Sequence, residues 1–420
     1  MLIFDRDNWT EIFATLKANR IRTLLTVFGV FWGIFMLVIM LGSGKGLENG
    51  IMKDFGGTAT NSFFCWAQKT SKPYKGMKPG RNFNFNNEDT KALKTLPEFG
   101  VVAPMNQLGN YQGTNNVVRG LKNGGFEVSG IYPDLRKIEA TRITSGRFIN
   151  QNDIDQKRKV AVIGKRVREV LFNKDENPIG DYIRVQGVYF RVIGVTEPAS
   201  GGDRGREAGE KVQIPFTTFQ QAFNYGDIVG WYAIMAAPGV PATAAEDKAL
   251  AVLRERHKVA PDDAIAIGHW NMEKEFNKLS GLFTGIEGLV WVVGIGTLLA
   301  GIIGVSNIML IVVKERTKEI GIRRAIGAPP LHIVRQLILE SVFLTTIAGY
   351  IGLVLSIALM EGIASVLPDN DSSMFTNPTI DLNVALTALS ILVIAGALAG
   401  LIPARKAIAI PPVEALRYDT

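Results

Sequence analysis

The sequence predicts an α-helical membrane protein with four transmembrane helices and a large extracytoplasmic α+β domain on a helical stalk. Three observations lead there. Four long runs carry no charged residue. A segment long enough for its own core separates the first run from the second. Lys and Arg collect on one side of the runs.

Residues 23–41, 288–313, 341–360 and 382–404 contain no Asp, Glu, Lys or Arg. Each reaches the ~20 residues that cross ~30 Å of hydrocarbon at about 1.5 Å per residue. One such run could be a buried helix of a soluble protein. Four argue for spans, and a backbone in lipid satisfies its own hydrogen bonds only as helix or closed barrel. The first run is too long for a cleaved signal peptide. Gly42, Ser43 and Gly44 behind it are weak cleavage residues, so it reads as an uncleaved anchor.

The chain has 420 residues, 47% of them apolar, with 46 Lys and Arg against 39 Asp and Glu, a net charge of +7. This excludes disordered and collagen-like chains. A lone cysteine, Cys65, excludes a disulfide framework and a multi-cysteine metal site. The three histidines, His257, His269 and His332, are too scattered for a histidine-rich site.

Charge sets the orientation. Arg6, Lys17, Arg20 and Arg22 precede the first span. Lys314, Arg316, Lys318, Arg323, Arg324 and Arg335 lie between the second and third, and Arg405, Lys406 and Arg417 follow the fourth. The loop between the third and fourth spans has Glu361, Asp369, Asp371 and Asp381 and neither Lys nor Arg. The positive-inside rule then makes both termini and the second–third loop cytoplasmic. The positive charge is read as topological, with no nucleic-acid partner.

The expected divisions follow. Residues 1–22 are a cytoplasmic amphipathic segment and 23–43 the first transmembrane helix. Residues 44–285 are the extracytoplasmic domain with its stalk segments, and 286–313 the second helix. Residues 314–340 form a cytoplasmic loop, 341–360 the third helix, 361–381 a short external loop, 382–404 the fourth helix and 405–420 a cytoplasmic tail.

The extracytoplasmic segment is large enough for two lobes. Residues 159–164 (KVAVIG) and 181–195 (DYIRVQGVYFRVIGV) alternate like strands, with Ile183, Val185, Val188, Phe190 and Val192 inward and a turn or bulge at Gly187. Residues 165–172 and 244–256 have helical spacing. Residues 82–87 and 201–209 read as polar loops. Residues 47–55 and 273–282 continue the adjoining spans helically and form the expected stalk.

Several motifs are decoys. Gly42-Ser43-Gly44-Lys45-Gly46 looks like a phosphate loop but lacks its first glycine, position 39 being Ile, and its final Ser or Thr. The outer carboxylates with His257 or His269 show no metal spacing and read as a solvated surface. Cys65 reads as a small buried apolar residue. Glu340 beside the third span could mark an ion path; its place near Arg335 and Gln336 favours a boundary or packing role. No catalytic, cofactor or metal residue is expected. Gly29 and Gly33 form a G-x-x-x-G pair that would allow close helix contact.

Residues 314–340 read KERTKEIGIRRAIGAPPLHIVRQLILE. Gly327 can end a short helix, and Pro329-Pro330 break the chain before the next. Ile320, Ile322 and Ile326 would give this element an apolar side suited to docking another protein; a linker helix lying on lipid is the alternative.

These residues resemble the permease subunits of the MacB/FtsX-like family of ABC transporters, in particular the branch of MacB and the LolC/LolE pair. The stretch from Glu315 to Ala328 (ERTKEIGIRRAIGA) is similar to the family's loop signature. Residues 19–26, Pro403-Ala404-Arg405-Lys406-Ala407 and the tail from Pro411 to Tyr418 resemble its other conserved ends. Val162-Ile163-Gly164, Leu171-Phe172, Asn177-Pro178-Ile179-Gly180 and Val192-Ile193-Gly194-Val195 resemble its periplasmic core domain.

The resemblance implies a multi-pass protein of the bacterial plasma (inner) membrane with its large domain periplasmic. It implies a second permease copy or close paralogue, membrane lipid and a separate ABC ATPase as partners, with a periplasmic adaptor protein as a further one. ATP and Mg would be used by the partner ATPase, and none bound here. Glu315, Arg316, Glu319, Ile320, Arg323, Arg324 and Ile326 would couple to that ATPase. The implied mechanism is mechanotransmission: ATP-driven closure moves the outer domain, for efflux or extraction of peptide, macrolide-like or lipoprotein substrates. The alternative is a non-transport regulator of an external enzyme or sensor, driven by the same ATPase.

Overall fold

The structure, a computed structural model, describes residues 20–55, 57–108, 115–198, 209–366, 375–376, 378, 382–409 and 411. The N-terminal segment before residue 20, all but the last residue of the expected loop at 201–209, most of the loop at 361–381 and the tail after 411 lie outside the described residues.

Helix α1 (Arg20–Phe55) leads to strand β1 (Ser62–Ala67). Strand β2 (Phe85–Asn86), helix α2 (Asn87–Lys94) and strands β3 (Phe99–Gln107), β4 (Asn115–Arg119) and β5 (Lys122–Ile131) follow. A 3-10 turn at Pro133–Lys137 precedes β6 (Thr141–Gly146), α3 (Gln151–Asp155), β7 (Val160–Gly164), α4 (Lys165–Leu171), β8 (Tyr182–Val185) and β9 (Val188–Pro198). Then come β10 (Lys211–Pro215), α5 (Phe216–Ala222), β11 (Ile228–Val229), β12 (Trp231–Ala236), α6 (Ala242–Arg256) and β13 (Ile267–Asn271). Helices α7 (Met272–Glu315), α8 (Thr317–Ala325), α9 (Pro330–Val366) and α10 (Leu382–Ala409) complete the chain. It divides into two compact units, one centred on residues 51–281 and one built from the long helices.

The first unit has two cores. Strands β3, β12, β1 and β13 pair antiparallel in that order. Their core includes Phe63, Phe85, Tyr232 and Leu253, all fully buried, with Leu253 from the inward face of α6. The second core lies within a ring. β5 pairs with β10, β10 with β7, β7 with β9, β9 with β8, β8 with β4, and β4 returns to β5. A closed ring leaves its members no free hydrogen-bonding edge. Ile183, Val185, Phe190 and Val192 fill it with Val117 and Ile214. The alternating residues read as inward are the ones found there. Gln186 and Gly187 both have positive φ, the two-residue turn that matches the strand twist.

One loop expectation fails. Residues 82–87 read as polar loop, but Phe85-Asn86 pairs with β11 and Phe85 is fully buried. Asn86 then caps α2, its side chain accepting from the Asp89 amide while Asp89 accepts from the Asn86 amide. Asparagine here is a helix start, and local composition does not distinguish that from a turn.

In the other unit, α1, α7, α9 and α10 are each long and apolar enough to cross a membrane. Close approaches at small residues hold them together. A side-chain carbon at Gly301 of α7 would sit 3.3 Å from the Val30 backbone of α1, and one at Gly352 of α9 would sit 2.8 Å from the Phe31 carbonyl oxygen. Ser341 of α9 donates to the Gly396 carbonyl of α10 at 2.8 Å. Without a hydrophobic drive inside lipid, such backbone proximity and interhelical hydrogen bonds supply the association energy. The Gly29/Gly33 face meets α7: their added carbons would lie 3.8 Å from Gly301 and 3.4 Å from Leu298. A second pair, Gly396 and Gly400, makes the α9–α10 seam against Thr345 and Ser341. The sequence held the same spacing there, unnoticed in a glycine-rich span.

The phosphate-loop decoy is settled by conformation. Gly42–Gly46 lies inside α1, and Lys45 pairs with Glu48 one turn on at 2.8 Å. A helix interior offers no cradle of free amides for phosphate.

Candidate functional site

The segment joining α7 to α9 is the most heavily built polar feature of the helical unit. Helix α7 ends at Glu315, which is exposed. The chain turns at Arg316, whose amide still donates to the Val312 carbonyl at 2.9 Å. Thr317, buried, donates its hydroxyl to the Val313 carbonyl. Helix α8 then runs for nine residues and stops on Gly327. The Ala328 amide bonds the Arg323 carbonyl at 3.0 Å and the Gly327 amide bonds the Arg324 carbonyl at 3.1 Å. This nested pair of bonds needs a left-handed residue, and Gly327 has φ +103. Pro330 opens α9, where its missing amide costs nothing.

The expected coupling residues separate into two sets. Arg316 lies 3.8 Å from the buried Glu340 carboxylate of α9. Arg323 donates to Gln336 of α9 at 3.2 Å and to Glu319 at 2.7 Å. Arg324 donates to the Ile408 carbonyl of α10 at 2.8 Å. The arginines therefore fasten the loop to the bundle beneath it. Each of the three has a partner group on another helix. Glu340 belongs to this fastening.

The isoleucines also divide. Ile320 packs on the bundle core, whereas Ile322 is 43% and Ile326 82% exposed. At 100° per residue, Ile320 and Ile322 point to opposite faces and Ile322 and Ile326 share one. The single apolar side expected of the three is two sides. Leu331, at the start of α9 and five residues past Ile326, is 78% exposed as well. The loop thus combines arginines bonded to α9 and α10 with aliphatic side chains left exposed at Ile322, Ile326 and Leu331. Leu331 was missed because it follows the prolines and shares no helix with the signature.

Two carboxylates of the other unit, Asp89 and Glu246, are not part of the solvated surface expected. Asp89 is fully buried and bonds Arg256 and His257, each at 2.6 Å. Glu246 is fully buried and accepts from Lys274 and Asn271 at 2.7 and 2.9 Å, with His269 at 2.5 Å. Burial alone would raise the Glu246 pKa; the Lys274 and Asn271 hydrogen bonds and the His269 charge outweigh it and hold it low. Glu246 thus ties α6 to the first turn of α7, and Glu273 of α7 accepts from the Thr243 amide and hydroxyl in return. Among the described residues no group of three or more His, Cys, Asp or Glu side chains is placed to hold a metal. Cys65 is fully buried, and burial pushes its thiol far up.

Four apolar spans, an α+β domain inserted between the first two and a fastened helical loop between the second and third define a multi-pass membrane permease. The MacB-like periplasmic core domain matches residues 23–252 and the FtsX-like permease C-terminal domain matches residues 291–412. The chain belongs to the MacB/FtsX-like family of ABC transporter permeases.

It is 31% identical over 414 residues to the macrolide export ATP-binding/permease protein MacB of Chlorobaculum tepidum, covering 97% of this chain and 61% of that protein. It is 30% identical over 407 residues to the pyoverdine export ATP-binding/permease protein PvdT of Pseudomonas entomophila, covering 96% and 58%. The chain thus spans about three-fifths of the length of these curated relatives. Similar solved structures include the periplasmic region of MacB from Actinobacillus actinomycetemcomitans, at 19% identity and TM-score 0.43 over 53% of this chain and 94% of that one. The extracellular domain of the ABC-type transporter YknZ from Gram-positive bacteria has 17% identity and TM-score 0.41, over 50% and 100%.

Proposed function

We propose that the chain is the membrane part of an ABC exporter that works by mechanotransmission. An ABC ATPase docks on the outer patch of Ile322, Ile326 and Leu331, and two permease chains face each other in the bilayer. The observation that carries this reading is the exposure of Ile322, Ile326 and Leu331 on a loop whose arginines are already fastened to α9 and α10. A force applied there reaches the bundle through Arg316–Glu340 and Arg324–Ile408 without first deforming the loop. Helix α7 runs unbroken from the loop to Met272. Its start is clamped to α6 by Glu246 and Glu273, so helix displacement becomes domain displacement. Apolar side chains, among them Ile34, Leu37, Leu298 and Leu392, fill the bundle interior, which favours force transmission over a polar conduit through the spans.

The substrate class is exported small or medium molecules of the kinds named for the relatives, macrolides and siderophores. Both termini and the α8 loop are cytoplasmic and the first unit is periplasmic, on the Lys and Arg asymmetry. The docking test is co-purification with the ABC ATPase that accompanies the tagged chain. Ile322→Glu with Ile326→Glu should weaken that association at least roughly tenfold, about 1.4 kcal/mol. Reporters at Lys137 and Ala325 should fall on opposite sides of the membrane. A tagged chain that purifies from mild detergent with no ABC ATPase, or Ala325 labelled from outside intact cells, overturns the reading.

A further inference from the structure

Beyond Leu41, where its apolar run ends, α1 continues through Gly42-Ser43-Gly44-Lys45-Gly46 before it reaches Phe55. The phosphate-loop look of this stretch is spurious, yet so many glycines inside a helix still need a reason. Glycine is the weakest helix former after proline, and Gly/Ser pairs are a recurring site of helix kinks. In lipid a helix keeps its backbone bonds because nothing there replaces them; past the apolar run water competes for them.

Packing on the bundle does not account for the run. The residues that α1 buries in the bundle core are Val30, Ile34, Leu37 and Val38, and Leu41 packs at its edge. A side-chain carbon at Gly44 would meet no neighbouring group within 4 Å among the described residues. Lower down, α1 and α7 keep one antiparallel register: Val30 lies against Gly301, Gly33 against Leu298 and Leu37 against Gly294. Carried on to Gly46, that register pairs it with Gly285 of α7, where an added carbon again meets nothing within 4 Å among the described residues. Both helices that join the bundle to the first unit thus have an open glycine just past the packed part.

Gly46 itself is covered. The Phe375 ring, from the segment between α9 and α10, lies on it: an added carbon would sit 2.7 Å from the ring's Cζ and 3.1 Å from Cβ of Pro378. The Thr376 amide donates to the Gly46 carbonyl at 3.1 Å. A carbonyl has two lone pairs, so this bond adds to the helical one without displacing it. A residue with a side chain would push ring and amide away, so the glycine that weakens α1 here is also the one that admits the contact.

We propose that Gly42–Gly46 is a joint in α1, and that Phe375 with the Thr376 amide is the splint that holds it straight. With the splint seated, α1 acts as one rod from the bundle to Phe55. With it lifted, the part beyond Gly46 swings about the glycines while the part before Leu41 stays packed on α7. This rests on the mechanotransmission reading and deepens it: the splint decides whether a displacement of α1 travels on as a push or is lost in a bend. The splint is a property of the permease chain alone. Its test needs neither ATPase nor substrate, so it can fail while that reading stands.

The test is double electron–electron resonance on the full chain in nanodiscs, with spin labels at Trp32→Cys and Lys53→Cys, both exposed positions. Cys65 is fully buried and takes no label. Unlabelled chain in excess leaves only distances within one chain to be read. A straight helix sets the labelled backbone positions about 32 Å apart at ~1.5 Å per residue. Wild type should give one narrow distribution near that value. Phe375→Ala/Thr376→Pro, which removes the ring and the amide, should broaden it toward shorter distances. Adding Gly44→Ala to that variant strengthens the helix where there is room and should narrow the distribution again, which an unfolded chain could not show. A distribution that stays narrow in Phe375→Ala/Thr376→Pro, or a wild type as broad as that variant, overturns the splint. Broadening that Gly44→Ala leaves unchanged overturns the joint.

Discussion

Arg324 of α8 donates a hydrogen bond to the carbonyl oxygen of Ile408 at 2.8 Å, so the short loop helix is tied to the last turn of α10. The bond satisfies one of the carbonyls that every helix end leaves without an intrahelical partner. A charged donor to such an acceptor contributes about 1.5–3 kcal/mol when well shielded, and less for a half-exposed side chain. Arg324→Ala should raise amide exchange across residues 317–327 several-fold and leave α9 unchanged. Exchange identical to wild type would mean that α8 is held by Ile320 packing alone.

The Arg316–Glu340 pair sets a second expectation. Removing one partner of a buried pair costs up to roughly 3–5 kcal/mol, less here because Arg316 stays partly exposed. Arg316→Ala should therefore destabilise the solubilised protein more than the Arg316→Met/Glu340→Leu double variant does. Thermal unfolding in detergent measures both. A double variant as unstable as the single one would show that the cost is packing, not a stranded charge.

Small residues in the bundle should respond in a set order. Gly29→Ala adds a carbon 3.8 Å from Gly301, an ordinary contact, and gains helix propensity, so it should be neutral or stabilising. Gly301→Ala presses on the Val30 backbone at 3.3 Å and should cost about 1–3 kcal/mol. Gly29→Leu with Gly33→Leu should part α1 from α7, read as lost disulfide formation between cysteines placed at Val30 and Leu298. Undiminished cross-linking in that double variant would refute the packing argument.

Acid should release the chain beyond β1 from the buried Asp263, which accepts from the Ser71 amide and hydroxyl at 2.7 Å and the Lys72 amide at 3.0 Å. Burial alone would raise the Asp263 pKa; hydrogen bonds from the Ser71 hydroxyl and amide and from the Lys72 and Ile265 amides outweigh it and hold it at about 2, below its ordinary 3.8. A carboxylate held low adds stability above its unfolded pKa and loses it as pH falls through the folded one. Protection of the Ser71 and Lys72 amides, corrected for intrinsic exchange, should be level above about pH 4 and fall toward about pH 2. Asp263→Asn should be weaker throughout and lack that transition. Acid-independent protection in the wild type would rule Asp263 out as the anchor.

Much of the fold was legible because it rests on one-dimensional signals. The charge-free runs, the alternation through Ile183, Val185, Phe190 and Val192, and the helix stop at Gly327 each follow from local chemistry. The loop signature likewise marked the segment that folds into α8 and its stop. It could not say that Arg323 and Arg324 bond to α9 and α10, since their acceptors, Gln336 and Ile408, lie thirteen and eighty-four residues away. The buried carboxylates Asp89 and Glu246 were misread for the same reason. Each looks solvated until distant residues arrive: His257 for one, Asn271 and Lys274 for the other.

By itself, then, the sequence determined the number of spans, the inserted domain, the loop helix and the family. These depend on hydrophobic period, charge and turn chemistry, all carried by neighbouring residues. Only the tertiary structure decided that β4, β5 and β7–β10 close into a ring. It alone bonded Arg323 and Arg324 to other helices while leaving Ile326 and Leu331 exposed, and it brought Ser71 and Lys72 onto Asp263. Ring closure, burial and anchoring are relations between residues far apart in the chain, which no local pattern encodes.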